Sequence, residues 1–288
     1  MLSLFGILAV ILIPLLSLSE SRQFTPVTIP AGAYSLQGYL STGSDPEGPY
    51  VIFFHGNRPE GQAQPLYQHI LQMFPDEMTV LGVDVLGYGQ SKVDESVVDP
   101  VRILDHEEDW RGAVAYLEEN LGARKDQIIL VGHSMGATMV MDAARKDAFL
   151  LSIPIGLGDW RVVLDSPKGV RDHVNKIKQY TGVSVDPEML RQSKAQYVPE
   201  VVFGSCPLTP VRLIFTRYED GPKTLFPYFN EAQEKCTSMV GWRILPLGDH
   251  MYGTELNRFP KLIRDLYSRI SLTLLKWQLL DLIEQAEP

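Results

Sequence analysis

Short, unbroken apolar runs recur along this chain, each too brief for a helix. They are VIFF (51–54), TVLGVDV (79–85), IILV (128–131), VVL (162–164), VRLIF (211–215) and WRILPL (242–247). None alternates with polar positions. Each therefore predicts a strand covered on both faces, as in a parallel sheet packed between helices. Ahead of them, PVTIPAGAYSLQGYLST (26–42) predicts an antiparallel hairpin leading in.

Helical spacing fills the gaps. Asp99 and Pro100 form an N-cap followed by proline at the first helical position, and Gly122 stands where a left-handed C-cap belongs. Between them Trp110, Ala113, Val114, Leu117 and Leu121 recur on one face, predicting a single helix. Further helices are expected over Pro65 to Phe74, Ala137 to Lys146, Thr224 to Ser238 and Thr254 to Gln285, the last interrupted at Pro260. Strands alternating with helices predict an α/β fold: a doubly wound, mostly parallel central sheet with helices on both faces. Residues 166–201 lack a strand signal and are rich in charge. They read as a small insertion or lid after the sixth strand, or as a plain pair of connecting helices.

The N-terminus departs from this pattern. Leu2 to Ser19 carries no charge, then Glu20–Ser21–Arg22 turns polar. Such a run predicts a secretory signal peptide or a membrane anchor within residues 1–22, ahead of a domain spanning 23–288. Pro14 and the small residues Ser17 and Ser19 favour cleavage, while the lack of Lys or Arg before the run speaks against it. The expectation is export, to the periplasm or the medium, or tethering with membrane association through this segment.

Composition narrows the reading further. The 288 residues are 45% hydrophobic and 21% charged, which fits a folded domain. A net charge of −9 without a basic patch excludes nucleic acid as an expected partner. Two cysteines, Cys206 and Cys236, are too few for a structural zinc site and leave a disulfide open.

Candidate chemistry begins at GHSMG (132–136), directly after the IILV run and before a helical pattern. A sharp strand-to-helix turn crowds the backbone, and glycines two positions either side of Ser134 relieve it. The serine hydroxyl then stands above the sheet edge at a helix N-terminus, where negative charge is favoured. That is what acyl transfer requires of a nucleophile.

Serine needs a base, and six histidines are available. His133 sits in the turn and is expected to point away. His69, His106 and His173 fall on predicted helical or inserted surfaces, where solvation is the default. LDHEED (104–109) likewise reads as a solvated helix start, with a metal site the lesser alternative. His250, in a short loop after the last apolar run, is the expected base. Asp249 beside it is discounted, because neighbouring side chains diverge.

Several motifs in order resemble the α/β-hydrolase superfamily, from about Pro26 to the C-terminus: FFHGN (53–57), DVLGYGQS (84–91), GHSMG and GDHM (248–251). The resemblance implies a serine hydrolase acting through an acyl-enzyme, with the triad order Ser134, acid, His250. It implies an acid in the loop after the penultimate strand, favouring Asp220 over Glu219, with Asp165 as a third candidate. His55 is then structural. The backbone N–H groups of Asn57 and Met135 become the oxyanion donors. No metal or organic cofactor is expected. The implied partner is a small acyl ester or thioester substrate. A serine aminopeptidase-like amide hydrolase and a non-catalytic binding protein on the same scaffold are the alternatives.

Overall fold

The structure, a computed structural model, describes residues 22–94, 98–219, 221–237, 239–252 and 261–286. The apolar N-terminal run, Asp220 and the expected break at Pro260 lie outside the described residues. Among the described residues, no helix is long and apolar enough to cross a membrane.

The chain opens with β1 (Thr25–Ala31) and β2 (Tyr34–Ser41), the expected hairpin, followed by β3 (Tyr50–Phe54). Next come α1 (Pro65–Leu71), β4 (Thr79–Val83), α2 (Pro100–Leu104), α3 (Glu107–Leu121), β5 (Ile128–His133) and α4 (Met135–Lys146). After β6 (Leu151–Ile155) four helices follow: α5 (Trp160–Leu164), α6 (Pro167–Thr181), α7 (Pro187–Lys194) and α8 (Pro199–Val202). The chain then runs through β7 (Val211–Thr216), α9 (Gly221–Lys235), β8 (Val240–Leu245) and α10 (Lys261–Glu284). The eight strands form one sheet in the order β1-β2-β4-β3-β5-β6-β7-β8. It is antiparallel as far as the β2–β4 pair and parallel from β4 onward.

The unbroken apolar runs have a direct cause. Ile52 and Phe54 of β3 join the core on one face of the sheet, while Val51 and Phe53 join the core on the other. In β5, Ile128 and Leu130 face one side, Ile129 and Val131 the other. Trp110, Val114 and Leu117 of α3 cover the first face; Leu66 and Ile70 of α1 with Leu275 and Leu279 of α10 cover the second. Each such buried side chain contributes about 1.5–3 kcal/mol.

Two expectations are corrected. VVL (162–164) is not a strand but the second half of α5, begun by Asp159, whose side chain accepts the N–H of Arg161. The sixth strand is Leu151–Ile155, concealed by Pro154. On the β7 side of β6, Ser152 N–H bonds Pro210 O and Gly156 N–H bonds Ile214 O. Pro154 occupies the position between them and costs the ladder one bond. The helical stretch between β6 and β7 is therefore longer than 166–201. The helix expected from Pro100 to Leu121 is likewise two, α2 and α3. Asp105 and His106 leave helical geometry between them, and Gly122 closes α3 at φ 70°.

Cys206 and Cys236 form a disulfide that joins the segment after α8 to the end of α9.

Candidate active site

The parallel strands β3, β5, β7 and β8 end along one edge, and each is followed by a loop that delivers one part of the site. The turn after β5 is the tightest. Ser134 adopts φ 55°, ψ −108°, in a region most side chains avoid. A Cβ on Gly132 would lie 2.1 Å from Gly136 O, and one on Gly136 would lie 2.1 Å from Phe54 O. Glycine at both positions lets α4 rise directly from the strand. Gly136 N–H then bonds His55 O at 3.1 Å, pinning the helix start to the loop after β3.

His250 arrives from the loop after β8. Its Nε2 is 2.9 Å from Ser134 Oγ, and its Nδ1 is 2.7 Å from Glu219 Oε1. Glu219 is 8% exposed, and its other oxygen accepts the N–H of Thr216 at 2.8 Å, so the turn after β7 fixes the carboxylate. Gly156, at φ 61°, leaves the space for this pair: a Cβ there would sit 2.7 Å from Glu219 Oε1. The carboxylate at His250 is thus Glu219, the residue ranked second from sequence. Asp220 lies outside the described residues. Asp165 is not in a strand-end loop at all; it caps the end of α5, its N–H bonding Arg161 O. Asp249 Oδ1 accepts the N–H of Met251 and shapes the histidine loop instead.

His133 does not leave the site. It is fully buried, its Nε2–H donates to His250 O at 2.8 Å, and its Nδ1 is 3.3 Å from the Tyr67 hydroxyl. Burial, and next the neighbouring His250, hold its pKa well below 6.5, so it stays neutral. A neutral ring donating to the His250 carbonyl steadies the loop without competing for charge.

The loop after β3 carries Asn57, and with Met135 it borders the cavity in front of Ser134. His55 is structural: its Nε2 accepts the N–H of Val85 at 3.0 Å, so its Nδ1–H donates to Gly56 O at 2.6 Å. The DVLGYGQS turn is held by its own first residue. Buried Asp84 accepts the N–H groups of Gln62 (2.6 Å) and Gln90 (2.8 Å). A Cβ on Gly89 would lie 2.2 Å from that carboxylate, which explains the glycine.

The cavity before Ser134 holds ≈190 Å³. Helices α5, α6 and α7 supply one side of it, through Trp160, Val163, His173, Ile177 and Lys194. His106, His173 and the LDHEED stretch are not simply solvated. Asp109 is fully buried, with Arg102 Nη2 at 2.8 Å and His106 Nδ1 at 3.3 Å. Asp109 also accepts the N–H of Leu86, tying α3 to the DVLGYGQS turn. Burial lowers the pKa of His106, and of His173 to about 4. The charge density that reads as a wet helix start is consumed by partners brought from α2 and the neighbouring turn. His69, by contrast, is exposed on α1 as expected.

A serine on a glycine-flanked strand-to-helix turn, bonded to a histidine from a distant loop over a doubly wound sheet, defines the class of α/β hydrolases. Residues 51–271 match the alpha/beta hydrolase family model, and the chain belongs to that family. No curated protein matches it in sequence. Among solved structures it is similar to a Pyrococcus furiosus esterase (TM-score 0.58, 16% identity, 89% of this chain and 93% of that one). It is also similar to the Pyrococcus horikoshii acylaminoacyl peptidase (0.57, 16%, 90% of this chain but 42% of that one). A third is a 2,6-dihydroxy-pseudo-oxynicotine hydrolase (0.59, 17%, 92% and 68%). At such identities the likeness is one of fold.

Proposed function

We propose that the protein is a serine hydrolase that cleaves a carboxylic ester or thioester through an acyl-enzyme. The observation that carries this reading is the hydrogen-bonded line from Ser134 Oγ through His250 to Glu219. In this mechanism His250 Nε2 takes the proton of Ser134 as Oγ attacks the acyl carbonyl. Glu219, facing Nδ1, holds the ring and stabilises the imidazolium. The oxyanion is received by the N–H groups of Asn57 and Met135, the latter at the positive end of α4. His250 then protonates the leaving group. Water, deprotonated by the same ring, releases the acid.

Labelling with a fluorophosphonate probe tests the nucleophile: wild type is labelled and Ser134→Ala is not. Folded wild-type protein that resists the probe would favour a binding module on the same scaffold. A panel of p-nitrophenyl esters, one thioester and one aminoacyl amide tests the bond cleaved. The reading predicts ester or thioester turnover well above amide turnover, and faster amide cleavage would favour a peptidase.

We also propose that Leu2 to Ser19 directs export. The Cys206–Cys236 disulfide supports an oxidising compartment. The N-terminal sequence of the mature protein, recovered from fractionated cells, distinguishes a removed signal from a retained anchor; recovery in the cytosol would refute both.

A further inference from the structure

The cavity before Ser134 is lined by a charge that the mechanism does not use. Lys194, the last residue of α7, is only 3% exposed yet borders this cavity. Its ammonium donates to Leu104 O at 2.5 Å and lies 5.2 Å from the ring centre of Trp160 and 5.1 Å from that of Tyr197. An ammonium carries three donors, and one carbonyl takes only one. Among the described residues no carboxylate forms an ion pair with it. Two acids lie in the vicinity and are committed elsewhere: Asp105 accepts the N–H of Glu107, and Asp142 pairs with Lys146. Their field limits the effect of burial, which brings the lysine down to about 8, so the ammonium persists at neutral pH.

Buried cations are ordinarily paired, because desolvation is costly and one carbonyl with two ring faces offsets only part of it. The missing partner is an anion. The remaining wall is mostly apolar, with Ile103, Val163 and Ile177, and the carboxylate in it, Asp159, is paired with Arg161 at 3.0 Å. Its ≈190 Å³ lies below the usual range for drug-sized ligands, so it suits a short chain and not a lipid tail. Ser134, these aliphatic side chains and the ammonium of Lys194 thus share one cavity.

We infer that this cavity is an acyl pocket ending in a carboxylate subsite, with Lys194 as the specificity-determining residue for half-esters of short dicarboxylic acids. The inference rests on the acyl-enzyme reading for its direction, since Ser134 marks the reacting end. Lys194 donates to the distal carboxylate and takes no part in bond cleavage.

The test compares kcat/KM for p-nitrophenyl butyrate and mono-p-nitrophenyl glutarate in wild type and in Lys194→Met, which keeps the length and removes the charge. Wild type should favour the half-ester by about tenfold or more, and the substitution should reverse the ratio. A wild-type enzyme with no preference overturns the inference, as does a preference that Lys194→Met leaves intact. Glutarate binding to Ser134→Ala, followed by thermal shift, separates the two readings and needs no turnover. Glutarate should raise the Tm of Ser134→Ala and leave that of the Ser134→Ala, Lys194→Met double variant unmoved. Binding without any wild-type esterase activity would sink the hydrolytic reading alone. Esterase activity on butyrate without glutarate binding would sink the carboxylate subsite alone.

Discussion

The floor and the roof of the active site are built on different principles. The floor consists of strand ends: the turns after β3, β5, β7 and β8. Its side chains are aimed by backbone, at positions where a single added Cβ meets a main-chain oxygen or the buried carboxylate at under 3 Å. The roof consists of α5, α6 and α7 between β6 and β7. Its groups are placed by packing and by long-range polar contacts, such as Lys194 on the Leu104 carbonyl and the His173 ring against Trp160 at 4.8 Å. Geometry that chemistry cannot vary sits on the rigid sheet, and groups that select the substrate sit on replaceable helices.

The sharpest way to break this division is at the floor. Ser134→Ala should lower kcat on the order of 10⁶-fold, measured on an activated ester. A variant within tenfold of wild type would remove the nucleophile from the account. Glu219→Gln should cost about 10⁴-fold while Asp220→Asn stays near wild type, since Glu219 faces His250 Nδ1. If Asp220→Asn were the damaging change, the acid assignment would move.

The segment that leads from the roof back to the sheet should respond in stability instead. Replacing both Cys206 and Cys236 by serine releases the tie between the α8 segment and α9, which closes a separation of 30 residues. Denaturant unfolding should show a loss of about 3–4 kcal/mol. A loss below 1 kcal/mol would mean that this anchor contributes little.

A milder change returns to the floor. In Gly156→Ala the new methyl crowds Glu219 Oε1 from a left-handed backbone position. Displacement of the acid by under an ångström should cost on the order of 10²-fold in kcat. Unaltered activity would show that the acid pocket has room to spare.

The smallest expected effect is a pH dependence in the roof. Burial lowers the pKa of His173 to about 4, with the positive charges of Lys194 and Lys176 adding to it. The unfolded chain, near 6.5, binds the proton more readily, so stability is complete above that value and falls as pH drops toward 4. His173→Phe should reduce the stability lost between pH 7 and pH 5 by about 1–2 kcal/mol, the ring being partly exposed. An identical acid limb in both proteins would assign the loss to the buried His55, His106 and His133 instead.

What reads from sequence here is local. The two-sided apolar strands, the cramped turn at Gly132–Gly136 and the Asp84–Ser91 turn each depend on residues a few positions apart. Their steric demands therefore appear as composition: branched residues without alternation, or glycine at set spacings. Pro154 hid β6 and VVL imitated a strand, since a short apolar run has no period by which to separate strand from helix.

The pairings that make a site lie beyond that range. His250 meets Ser134 across 116 positions and Glu219 across 31. That Glu219 turns inward is decided by the turn after β7, where Thr216 N–H holds its carboxylate. Asp109 and His106 read as a solvated helix start because charged residues are usually at the surface. Only the packing of α3 on β1 and of α2 on α7 removes them from water. Chain chemistry thus determined where a nucleophile would be exposed. Tertiary structure decided which groups meet it, because desolvation and hydrogen bonding act on neighbours in space and not in order.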